Sequence, residues 1–294
     1  LISSSVRLCN SKVSTKYDCR QGILCQWKRY ILLVAVYIVC VAQFIWICER
    51  SRYVDTYTSA DMVLWMFKGI EKYVPDTHKL VDISAPYILP NIIIAYIIGN
   101  YIIKDLYGYG KNLMVRTGSR VNWWISKCIW CVITVFISYA LMYAVILAAS
   151  VVTHSLSLNI TPDVCVSIMG MDKVLILNYA NLDYMLSSVM LSSVLMSIAL
   201  SVFQILVTLL ISPVIAYMAV MIMIVLAAFV DNPLVITLYC MVIRSRAYMP
   251  QGYGVSLAIV IMLIIITACA VAGGLYANNM DIVSKREEWQ NLYD

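Results

Sequence analysis

Of the 294 residues, 62% are hydrophobic and 13% charged, and mean hydropathy is +0.85. A soluble domain carries about a quarter charged residues, so that class is excluded and an all-α, polytopic membrane protein is predicted. The formal charge of +5 is no nucleic-acid signature, because the basic residues flank apolar runs, where they set topology and meet anionic headgroups.

Residues 1–29 read as a basic cytoplasmic lead-in, with Arg7, Lys12, Lys16, Arg20, Lys28 and Arg29 against Asp18 alone. Ile23, Leu24 and Trp27 have helical i, i+1, i+4 spacing, which suits a helix lying flat on the inner leaflet over 21–30. The residues before it read as a basic tail, and no secretory signal is evident ahead of Tyr30. A first span is predicted at 30–48, closed by Glu49-Arg50. Beyond it, Met62, Trp65, Met66 and Ile70 predict a short interfacial helix within 61–72. Pro86 then opens a second span, 87–103, where a first-turn proline is tolerated, and Pro90-Asn91 should bend it.

A third span is predicted at 128–152. Residues 153–186 hold one basic residue, Lys173, which suits an outside loop. No charge occurs from Ser187 to Val230. One straight helix of that length would run about 66 Å, twice the roughly 30 Å hydrocarbon core. Two spans, 187–210 and 213–230, are therefore predicted to turn at Ser212-Pro213. The run LVITLYCMVI within 231–254 is too short to cross and suits a segment that dips in and returns. A sixth span at 255–276 leaves a cytoplasmic tail, 277–294. With both termini inside, the inside segments hold 13 Lys/Arg and the outside ones 8, the sign the topology rule requires. The expected location is the plasma membrane.

Ten cysteines carry little chemistry by position. Cys128-x-x-Cys131 has no second pair and no nearby histidine, so both read as small apolar residues. Cys165 and Cys240 are the two placed to meet an oxidising exterior, and a bridge between them is conceivable. Neither histidine, His78 or His154, falls in a span, so no H-E-x-x-H arises, and no G-x-x-x-x-G-K-[ST] phosphate loop occurs. No cofactor is expected in this chain. No acidic or basic residue is expected firmly inside a span, which argues against ion-coupled transport. Gly252-Tyr253-Gly254 lacks the lead-in of a potassium filter and reads as a turn. Asn159-Ile160-Thr161 matches a glycosylation acceptor only by pattern.

Two patterns remain. Ser193, Ser197, Ser201, Gln204 and Thr208 share one helical stripe, either lining a substrate path or packing helices closely through small residues. Lys104–Lys127, KDLYGYGKNLMVRTGSRVNWWISK, holds five Lys/Arg and one Asp in 24 residues between two apolar runs. Gly108 and Gly110 permit a break after the second span, a short helix fits 111–116, and Thr117 or Ser119 could cap the third span. The segment is either a topogenic loop anchored by Trp123-Trp124 or the handle by which a soluble partner moves the spans.

This segment resembles the cytoplasmic coupling segment of ABC-2-type transporter permeases. In that family an acid, a Gly, an apolar turn, a Pro, a Ser-Arg pair and a Lys seven residues later follow in order. Asp105, Gly110, Leu113-Met114, Ser119-Arg120 and Lys127 stand in those places. Lys111 replaces the usual Thr, and Thr117-Gly118 stand where Pro is common. The resemblance implies a non-enzymatic exporter subunit for a peptide or lipid-like substrate. It further implies a second permease subunit, the same chain or a paralogue, and two separate ATPase subunits that hold ATP and Mg. Arg116, Arg120 and Trp124 would be the principal ATPase contacts. The alternative is an ATP-independent polytopic protein, a channel or an assembly partner.

Overall fold

A computed structural model describes residues 18, 20, 22, 26–51, 56–70, 84–107, 120–170, 182–227, 229–230, 232, 235–245 and 254–279. Eight α-helices appear among them: α1 Trp27–Arg50, α2 Ser59–Met66, α3 Ala85–Tyr107, α4 Arg120–Val152, α5 Pro162–Ser167, α6 Leu182–Leu210, α7 Pro213–Leu226 and α8 Val255–Asn279. The protein is an all-helical, polytopic membrane protein. α1, α4, α6 from Ser188, and α8 are each long and apolar enough to cross a bilayer.

The helices outgrow the apolar runs. α3 reaches Tyr107 rather than ending at 103, and α4 begins at Arg120 rather than at 128. Helix geometry continues as long as i to i−4 bonds form, whether or not side chains are apolar. The basic segment is therefore two helix ends joined by residues 108–119. Gly110, Leu113, Arg116 and Ser119, the short helix at 111–116 and Gly252-Tyr253 of the expected turn lie outside the described residues. The fifth expected span is the 14-residue α7, about 21 Å long. It starts where the sequence placed it: Ser212 caps the N–H of Ile215 at 3.3 Å, and Pro213 takes the first helical position.

α1 shows how lipid shapes a helix. Tyr30, Leu33, Tyr37, Val41, Phe44 and Cys48 form a buried stripe at helical spacing. The opposite face, with Ile31, Leu32, Ile38, Val39 and Trp46, is exposed and equally apolar. Such a helix faces core on one side and hydrocarbon on the other. α6 differs: it is the most buried of the four long helices and packs against α3, α4, α7 and α8. It also contributes side chains to two apolar clusters. The larger draws mainly on α1, α2, α3 and α4, the smaller mainly on α7, α8 and residues 235–241, and α3 and α8 contribute to both.

One end of the helical assembly is knitted by polar contacts. α2 is entirely buried rather than lying flat at an interface. Asp61 and Thr58 form a reciprocal capping box, and Asp61 also accepts from the N–H of Thr161 at 2.9 Å. Thr58 and Ser59 donate to the carbonyls of Asn159 and Ser157 at 2.7 and 2.5 Å. Gly69, at φ 87°, turns the chain after α2 with a Cβ position only 2.5 Å from the Met241 side chain. Val242 and Ile243 then donate backbone N–H groups to Phe67 and Lys68. The run expected to dip and return forms the buried 3-10 turns Ile236–Cys240 and Val242–Arg244. Cys165 and Cys240 are not bridged: both are free and buried, one in each apolar cluster.

Candidate functional site

α3 and α4 meet at the base of the basic segment with matched i, i+4 pairs, the spacing that puts two side chains on one helix face. Tyr101 and Asp105 come from α3, Trp123 and Lys127 from α4. The Lys127 ammonium lies 2.6 Å from Asp105 Oδ2 and 2.5 Å from Asp18 Oδ1, with the three side chains at most 2% exposed. It also sits over the rings of Tyr101 and Trp123, 4.9 and 5.5 Å from their centroids. Tyr101 donates its hydroxyl to Asp18 at 2.6 Å, Ser126 donates to the other Asp18 oxygen, and Trp123 Nε1 donates to Asp105 at 3.2 Å. The Trp130 ring lies against Tyr101, tilted by 35°, with centroids 4.1 Å apart.

Neither the Asp105 nor the Lys127 charge falls within the expected spans, 87–103 and 128–152. Asp105 and Lys127 lie just beyond the apolar runs, but the helices continue through them and turn both inward. Sequence reasoning also missed Asp18, Tyr101, Trp123 and Ser126. The available signals were the single acid in a basic stretch and the two i, i+4 pairs. Asp18 and Gly22 are helical, so part of the supposed tail is docked onto α3 and α4.

A second face of α4 meets α8. Trp124 Nε1 donates to the carbonyl of Ala270 at 2.8 Å, and a Cβ at Gly273 would collide with the Trp124 indole. Arg120 donates to the Asn278 carbonyl at 3.3 Å. Trp124 is thus buried against α8. Of the described residues expected to contact a partner, Arg120 alone keeps substantial exposure; Asp105, Trp124 and Lys127 are covered.

The α6 stripe is buried throughout. Ser193, Ser201 and Thr208 donate to carbonyls four residues back within α6, those of Val189, Ser197 and Gln204. Ser197 shares a 2.8 Å bond with the Tyr139 hydroxyl of α4. Gln204 donates to the Ala95 carbonyl of α3 at 2.8 Å, opposite Gly99, where a Cβ would come within 2.9 Å of its amide. In this arrangement the stripe joins helices. Beside Asn91, Ser197, Ser201 and Gln204 it leaves a cavity of about 10 Å³, the lower limit for one water.

No protein-family profile matches this chain, and no curated protein or solved structure is significantly similar to it.

Proposed function

We propose that the chain is the membrane-spanning subunit of a transporter, with α3 and α7 completing six spans and residues 104–127 acting as the segment a soluble partner moves. The observation that carries this reading is the buried 2.6 Å pair between Lys127 and Asp105. A force applied to residues 108–119 reaches the spans only if the loop's two ends are fixed to one another. The pair provides that fixation, and the Trp124–α8 contact extends it to a third helix. The resemblance makes the partner an ABC-type ATPase and the transport an export of peptide or lipid-like substrate. Because Asp105, Trp124 and Lys127 face inward, the docking contacts fall to residues 108–119 and Arg120, and the three inward residues become the mounting.

The test is purification from native membranes in mild detergent, with mass spectrometry and ATPase assay, of wild type and an Arg116→Glu/Arg120→Glu variant. An ABC ATPase that accompanies wild type and is lost or uncoupled in the variant supports the reading. No ATPase with either chain, and a variant altered only in insertion, sinks it. A second reading, ATP-independent transport, is favoured by the buried carboxylates and ammonium themselves, since charge inside a helical membrane domain is the usual mark of ion coupling. It predicts transport in vesicles lacking nucleotide.

A further inference from the structure

Between residues 38–45 of α1 and 145–153 of α4 runs an open trough of about 360 Å³. Both helices are long and apolar enough to cross a bilayer, so the trough opens toward hydrocarbon rather than water. Its shape comes from side-chain size: Ala42, Ala148 and Ala149 lie between the bulkier Ile38, Ile45 and Val152. α2 packs against both helices at this end, with Trp65 5.7 Å from the buried Phe44 of α1. Ala42 and Ala148 face outward and are exposed. The two helices thus grip α2 on their inner side and leave the trough on the outer one.

Water does not suit this space. A held water needs about two to four polar partners. The one polar side chain in the lining, Thr153, already bonds the Ala149 carbonyl and the Ser155 hydroxyl. A helix from a second copy does not suit it either. Over the same length a helix displaces on the order of 1,000 Å³, well beyond the space present.

Depth and charge point to one occupant. Along α1 the trough lies about 7 to 18 Å below Arg50. Acyl chains of one leaflet occupy that depth, since half the core is roughly 15 Å thick and begins below the headgroups. At the mouth, Glu49 extends the row of Ala42 and Ile45 by helical spacing, and the Arg50 guanidinium lies over the Trp46 ring at 5.4 Å. Both charges are exposed, and Trp favours the headgroup boundary. A carboxylate beside a guanidinium complements a head that bears an ammonium and a phosphate.

We propose that the trough between α1 and α4 binds a zwitterionic phospholipid of the surrounding bilayer. One acyl chain fills the trough against Ala42, Ala148 and Ala149, the phosphate meets Arg50, and the ammonium meets Glu49. The chain makes dispersion contacts that an empty trough forfeits, and the charges at the mouth select the head. The site requires only that α1 and α4 cross the bilayer, so it stands apart from the partner-driven reading. In the six-span topology it faces the outer leaflet.

The test uses the full chain in phosphatidylcholine nanodiscs doped with a phosphatidylcholine whose acyl chain carries a diazirine. After illumination, mass spectrometry should find more adducts on the trough than on the exposed face of α7. Ala148→Phe, which fills the trough from its lipid side, should cut trough adducts about tenfold. Arg50→Gln leaves the trough open and should lower them about threefold. A diazirine-bearing phosphatidylglycerol, which lacks the ammonium, should label the trough less than the phosphatidylcholine does. The proposal is overturned by adducts spread evenly over trough and α7, by labelling unchanged in both variants, or by equal labelling with the two lipids. A wild-type dimer that Ala148→Phe dissociates, with no lipid adduct in the trough, would show a second copy there and overturn it too. None of these readouts involves an ATPase, so the lipid site and the proposed function fail separately.

Discussion

Lys127 is the side chain whose loss should be felt most. Replacing it with Met leaves Asp18 and Asp105 buried together without a counterion, and breaking a buried pair in this way costs about 3–5 kcal/mol. A thermal unfolding midpoint in detergent should fall accordingly, and one within a degree of wild type would show the cluster to be energetically idle. Asp61 carries a pH dependence of its own. Burial outweighs its hydrogen bonds from Thr161 and Thr58 and raises its carboxyl above the ordinary carboxylate range. The folded end holding α2 thus binds a proton more tightly than the unfolded chain. Its stability is fullest below the ordinary carboxylate value and declines as pH rises through the raised one. Hydrogen exchange of residues 56–67 should become faster over that window, and Asp61→Asn should flatten the profile. Nearby, burial pushes the Cys165 thiol up to about 12, consistent with an inert, unbridged residue.

Among the helices, α4 is gripped on two faces within its first two turns, by α3 through Trp123 and Lys127 and by α8 through Trp124. The α8 grip depends on Gly273 presenting bare backbone to the indole. Gly273→Ala should displace Trp124 and cost about 1–3 kcal/mol, read as a lowered unfolding midpoint. Gly274→Ala, whose Cβ would meet Trp124 at an ordinary 3.7 Å, is the control that should leave the midpoint near wild type. How much of this was legible follows from what sequence patterns encode. The Ser212-Pro213 turn was readable because a cap and a fixed φ act locally. Helix ends were not, because α3 and α4 continue through charged residues that hydropathy assigns to a loop. Asp105 and Lys127 could be singled out as the ends of a basic segment. Their meeting with Asp18, 109 residues from Lys127, is a tertiary fact that no spacing carries. The serine stripe was equally undecided, since the same residues bond an adjacent helix or a solute, and only the neighbours Ala95, Gly99 and Tyr139 distinguish the two.

For the whole molecule, α6 is the axis: it belongs to both apolar clusters, and the helices around it keep exposed apolar faces that suit lipid. α7 belongs to that outer layer, with Val214, Ile215, Met218, Ile222 and Val225 exposed. Its roughly 21 Å is short of a hydrocarbon layer of about 30 Å. The turns at its ends are themselves apolar, through Leu210, Ile211, Phe229 and Val230, and their N–H groups are bonded internally to Val207 and Leu226. Such turns can sink below the headgroups. On the proposed six-span reading, in which α7 crosses, the surrounding bilayer is pinched beside it, at a cost that grows with every ångström of mismatch. The protein should therefore sort toward thin membranes. In vesicles graded by acyl-chain length, its unfolding midpoint should fall as the chains lengthen.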